Sequence, residues 1–178
     1  FLMRAHLNGS SEDQMHRLAR LLENVTFRFL LRGGRAEVQT RLNPYLKARP
    51  DSDYVQFIVG GIVADLRSNL WWLYWSDATL EEYLNGWMYN NRVDNYVLWR
   101  YELHLCSKTS YPYPLKVGFK DLIAQENIEH IAPQTPCAGE VVATGYGAYD
   151  DQESPQNGIL SGGWLNRIGN LMLISKSH

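Results

Sequence analysis

The chain has 178 residues, 45% of them hydrophobic and 20% charged, an ordinary globular composition that excludes disordered and collagen-like sequence. Its longest apolar run, Ile58 to Ala64, falls far short of the roughly 20 residues a bilayer span needs, so no membrane association is expected. The net charge of −2 conceals an asymmetry: residues 1–50 carry nine Lys/Arg against four Asp/Glu, residues 51–106 three against eight, and residues 107–178 five against seven.

The first two-thirds predicts helices. Ser11 caps the first, with Gln14 closing a capping box, and Met15, Leu18, Leu22, Val25 and Phe29 follow at helical spacing. Gly33-Gly34 ends it, because glycine tolerates the left-handed backbone of a helix terminus. A shorter helix is expected between Arg35 and Ala48, interrupted at Asn43-Pro44, before a break at Arg49-Pro50-Asp51-Ser52. Tyr54, Phe57, Ile58, Ile62 and Leu66 form the apolar stripe of the next helix. Ser76 or Asp77 caps a third, with Leu80, Tyr83, Leu84 and Trp87 inward. A fourth, from about Val93 to Cys106, aligns Val97, Tyr101 and Leu105. Trp71, Trp72, Tyr74 and Trp75 lie between helices with no Lys or Arg from Asn69 to Asn91, which favours packing over stacking on bases.

After Cys106 the pattern changes. Tyr111-Pro112-Tyr113-Pro114 reads as an extended linker, Asn127–Ile131 and Leu171–Ile174 as short strands, and the Gly-rich stretch Thr135–Gly163 as a long irregular connection. The fold class expected is therefore α+β: a helical subdomain over residues 1–108, then a small strand-bearing half over 109–178. The basic first third holds Arg4, Arg17, Arg20, Arg28, Arg32, Arg35, Arg41, Lys47 and Arg49. Such residues either form a solvated helix face or meet a polyanion, and the solvated face is the commoner outcome. Two cysteines, Cys106 and Cys137, are too few for a disulfide framework or a four-cysteine zinc site. With no signal pattern at the start, they suit a cytoplasmic location. A first residue Phe1 rather than Met reads as a piece of a longer protein.

The chemistry-bearing residues are Ile128-Glu129-His130-Ile131-Ala132-Pro133-Gln134, followed by Arg167-Ile168-Gly169-Asn170-Leu171. A single His or an adjacent Glu-His is weak on its own. The combination of acidic-His-x-x-Pro after a strand with Gly169-Asn170-Leu171-Met172-Leu173-Ile174-Ser175 is far more specific. Together with Tyr96-Val97-Leu98-Trp99-Arg100-Tyr101-Glu102 upstream, it resembles the HNH endonucleases of the ββα-metal type. The branch it resembles is the C-terminal part of GmrSD-type restriction and phage-defence proteins. The likeness covers about 30 residues in three ordered blocks.

That resemblance implies a metal-dependent endonuclease acting on DNA in restriction of foreign or phage DNA, modified DNA included. His130 would be the general base, since a neutral imidazole accepts a proton near working pH. Glu129 would hold a divalent metal, Mg²⁺ by its preference for oxygen donors. Asn170 would brace the loop that carries the base, and Arg167 would contact a DNA phosphate. Glu129 and His130 alternate on a regular strand, so a shared site requires a backbone bend after Glu129. The family's second ligand, nine residues past the central Asn, would fall one position beyond His178. His178 itself sits one residue short, turned by about 100° on a helix, so the finger is expected to be incomplete. A ParB-like nucleotide-binding domain is expected to precede this region in a complete protein. The alternative is a non-catalytic helical interaction or DNA-binding module with a degenerate finger. An RNase on the same finger is a third reading.

Overall fold

The computed structural model describes residues 1–34, 37–50, 53–108, 126–132 and 162–175. Expectations that fall on other residues lie outside this description: the Tyr111–Pro114 linker, most of the Gly-rich connection, Cys137 and His178. The chain divides into two compact units, residues 1–82 and 83–178. The class is α+β, mainly helical with one two-stranded antiparallel sheet.

The first unit is built on α2 (Glu12–Leu31). The Gln14 N–H donates to Ser11 Oγ at 3.3 Å and the Ser11 N–H donates to Gln14 Oε1 at 2.7 Å, which completes the capping box. At the other end Gly33 and Gly34 adopt φ of 75° and 70°, and their N–H groups donate to Leu30 and Phe29. This paired return is the Schellman ending that glycine makes inexpensive. Leu18, Leu21 and Val25 are buried, and Met15, Leu22 and Phe29 flank them. Before α2, α1 (Leu2–Leu7) contributes Ala5 to the core, and Arg4 donates to the Leu46 and Ala48 carbonyls.

Helix α3 (Val38–Lys47) runs through Pro44 without the expected interruption. Proline removes one backbone hydrogen bond, a loss offset here by Val38, Leu42 and Tyr45 packing against the core. Helix α4 (Tyr54–Ser68) starts at Asp53, whose carboxylate accepts from the Gln56 N–H at 3.1 Å. Its buried stripe is Tyr54, Val55, Ile58 and Ile62; Phe57, expected inward, is exposed, its ring tilted against that of Tyr45 with centroids 6.2 Å apart. Tyr45 crosses α4 at Gly61, where any Cβ would collide with its ring.

The aromatic run forms a 3₁₀ helix, Leu70–Trp75. With three residues per turn, Trp72 and Trp75 fall on one side and enter the core edge-to-face, their centroids 5.3 Å apart, while Trp71 and Tyr74 face outward. The packing expectation therefore holds for two of the four rings. Arg28 is buried beside them and donates to Asn24, the Trp75 carbonyl and Asp77. Helix α5 (Asp77–Leu84) is capped by Ser76, which accepts from the Thr79 N–H. Trp87 lies beyond the end of α5 and is 64% exposed, contrary to its expected inward position; its indole N–H donates to the Tyr89 carbonyl.

In the second unit, α6 (Asp94–Lys108) packs against strand β2 (Leu171–Ser175). Its buried residues are Asp94, Leu98 and Cys106, one position round from the expected Val97, Tyr101 and Leu105 stripe. Hydropathy misplaced the face because it buries an aspartate and a cysteine. Strand β1 (Glu126–His130) pairs antiparallel with β2, Glu129 opposite Met172 and His130 opposite Leu171. Between the strands in sequence stand α7 (Gly162–Leu165) and a 3₁₀ turn, Ile168–Asn170.

Candidate active site

The strand pairing brings the two motif segments together. His130 ends β1, and the backbone bends at Ile131 and Ala132. Opposite it, Asn170 closes the 3₁₀ turn that leads into β2, and is 5% exposed. The bend is held by Asn170 three ways. The Ile131 N–H donates to the Asn170 carbonyl at 2.9 Å, the Ala132 N–H donates to Asn170 Oδ1 at 2.8 Å, and Asn170 Nδ2 donates to the Ala132 carbonyl at 3.4 Å. The same Nδ2 donates to the Leu165 carbonyl at 2.8 Å, which ties α7 into the turn. An amide is the side chain that offers both a donor and an acceptor at this reach.

His130 is held by residues that sequence reasoning missed. Its Nε2 lies 3.2 Å from Asn166 Oδ1, and its ring tilts against Tyr89, with centroids 4.4 Å apart. Asn166 is 4% exposed, and its carbonyl accepts from the N–H groups of Met88 at 2.8 Å and Tyr89 at 3.1 Å. One residue thus fixes both the imidazole and the segment that supplies the aromatic ring. The signal available beforehand was an Asn four residues ahead of Asn170, too common a spacing to single out. Tyr89 carried no motif at all.

The remaining predicted residues are dispersed. Glu129 is exposed and shares its sheet face with Met172, whereas His130 stands on the face of buried Leu171. The bend expected after Glu129 comes after His130 instead, because the β-ladder continues through His130. Arg167 lays its guanidinium over the Trp164 ring at 3.5 Å from the centroid. His178 lies outside the described residues. No three His, Cys, Asp or Glu side chains gather into a metal-binding group among the described residues. The Glu129 carboxylate is the right chemistry for a hard cation, but by itself it does not make a site.

The family model for the C-terminal domain of the GmrSD restriction endonucleases matches residues 75–178. The chain belongs to this family. GmrSD membership gives it a restriction-endonuclease-related function. The match covers every residue of the site, from Tyr89 through β1 to β2, and leaves α1–α4 outside the GmrSD domain. No curated protein and no solved structure matches the chain. Among the described residues no helix is long and apolar enough to cross a membrane.

Proposed function

We propose that this chain hydrolyses DNA phosphodiester bonds with His130 as general base, in the manner of HNH endonucleases. The observation that carries the reading is the position of His130: it ends one strand, beside a turn that Asn170 clamps from the other. In the tautomer whose Nε2–H donates to Asn166 Oδ1, the neutral imidazole would carry its basic lone pair on Nδ1. That nitrogen takes the proton from a water as its oxygen attacks phosphorus, and the bond to the 3′-oxygen breaks. Asn166 and Tyr89 hold the ring; Asn170 holds the bend behind it. Arg167, stacked on Trp164, contributes a phosphate contact. Mg²⁺ would supply neutralisation of the charge that grows on the phosphoryl oxygens, and Glu129 is the donor β1 offers it. His178 would be a further donor, and a ParB-like domain would precede the region in a longer protein.

One observation favours a second reading, a DNA-binding module with a degenerate finger: Glu129 faces away from His130 along a regular ladder. Cleavage of plasmid or phage DNA with Mg²⁺ separates the two. On the first reading, His130→Ala lowers chelator-sensitive cleavage by roughly 10²–10⁴-fold. Undiminished cleavage by that variant would remove His130 as the base. Binding of DNA without cleavage by the unmutated protein would favour the second reading.

A further inference from the structure

The first unit carries a charged surface that the nuclease reading leaves unused. A groove of about 380 Å³ runs between α2 and α4. Its floor is apolar, from Leu21, Val59, Val63 and Leu66; the exposed Arg17, Arg20 and Arg67 rim it, and Arg28 lines it as a buried residue. Asp77 is the carboxylate among its lining residues, and it is already paired with Arg28 at 2.6 Å. Arg17 donates to the neutral amide of Gln56 at 3.2 Å. Arg17, Arg20 and Arg67 are exposed and make no ion pair among the described residues.

Their exposure agrees with the solvated helix face that the composition favoured, but that face lacks acidic partners among the described residues. A structural arginine is buried and paired, as Arg28 is; three unneutralised guanidiniums around one groove repel each other. That repulsion is relieved by an anionic occupant. A larger cleft, about 660 Å³, contains Arg4, Arg49 and Asp53, but Arg4 is spent on two carbonyls and Asp53 contributes negative charge. The α2–α4 groove is therefore the stronger anion site.

We infer that the arginine rim of the α2–α4 groove binds the phosphate backbone of DNA. The inference rests on the reading that the protein acts on DNA. Arg17 and Arg20 stand about 4.5 Å apart along α2 at 1.5 Å per residue, and Arg67 lines the same groove from α4. A duplex presents a phosphate every 3.4 Å along each strand, so neighbouring phosphates suit the α2 pair. Planar guanidiniums suit phosphate oxygens, and backbone contacts carry no sequence information. The groove thus supplies grip without specificity, outside the family domain.

The test is equilibrium binding of the full chain to a fluorescent 20-base-pair duplex in EDTA, repeated across salt concentrations. The triple variant Arg17→Gln, Arg20→Gln, Arg67→Gln is expected to bind at least ten-fold more weakly. Its plot of log affinity against log salt should be shallower by about 2–3, from roughly 0.9 per phosphate contact. The matching Arg→Lys triple variant keeps the charge and should retain the slope. An unchanged slope in the Gln variant overturns the inference. So does arginine-dependent capture of a polyglutamate peptide with no effect on DNA, which would make the groove a protein-docking surface. Binding in EDTA needs no hydrolysis, so this result is independent of whether His130→Ala abolishes cleavage.

Discussion

Asn170 grips Ala132 by both of its backbone polar groups, with Oδ1 2.8 Å from the Ala132 nitrogen and Nδ2 3.4 Å from its oxygen. Both residues are buried, so neither group has water as a substitute when the amide is removed. Asn170→Ala should therefore destabilise the second unit by about 2 kcal/mol or more, since each unmet buried group costs roughly 1–3 kcal/mol. Asn170→Asp keeps the acceptor and loses the donor to Leu165 and Ala132, so it should not restore stability. Urea unfolding of the two variants checks this; wild-type stability in the Asp variant would show that the donor side contributes nothing.

Asn166 acts on His130 through its side chain and on Met88 and Tyr89 through its carbonyl. Asn166→Ala removes the first contact and keeps the second. DNA cleavage should fall about ten-fold or more, as expected when a reacting group loses its orientation, while the fold persists. The ¹⁵N shifts of the His130 ring at fixed alkaline pH should report a mixture of tautomers in the variant. An unaltered tautomer with unaltered cleavage would remove Asn166 from the site.

Gly61 is required by the Tyr45 ring that crosses α4. The ring is anchored at its far end, where the hydroxyl donates to Asp65; burial, reinforced by that bond, pushes the Tyr45 hydroxyl well above the usual phenol range. It therefore cannot swing aside freely. Gly61→Ala should cost about 1–3 kcal/mol by overpacking, despite alanine's better helix propensity. A gain in unfolding temperature would show that α3 gives way.

Asp94 opens α6 as a buried carboxyl. Burial pushes it up from the ordinary carboxylate value of 3.8, and the N–H groups of Asn95 and Asn90 pull it partly back. The folded state thus holds the proton more tightly than the unfolded chain. This contribution is complete below the unfolded value and is lost as pH rises through the folded one. Asp94→Asn removes the titration, so its melting temperature relative to wild type should rise from pH 3 towards pH 7. A difference that is flat across that range would exclude the carboxyl as its source.

Local signals were legible where one residue decides a backbone geometry. Ser11 with Gln14, Gly33, Ser76 and the apolar β2 segment all ended or began elements as read. Faces were less legible, because burial is decided by partners far away in sequence. Pro44 stays helical because Tyr45 and Leu42 have a core to meet, and α6 turns Asp94 inward because backbone donors satisfy it. At the site, His130, Asn170 and their segments were visible as a pattern of residue types. Asn166 and Tyr89 were not, since their roles come from where the chain returns.

The Asn170–Ala132 clamp also bears on how such a domain tolerates change. It joins positions 38 residues apart, and so ties together the chain ends that flank residues 133–161. With both ends fixed, doubling the length between them costs only about 0.6 kcal/mol of closure entropy. Changes in the length or sequence of that stretch should therefore leave His130 where it stands. The asparagine separates the geometry of the strand ends from whatever chain runs between them.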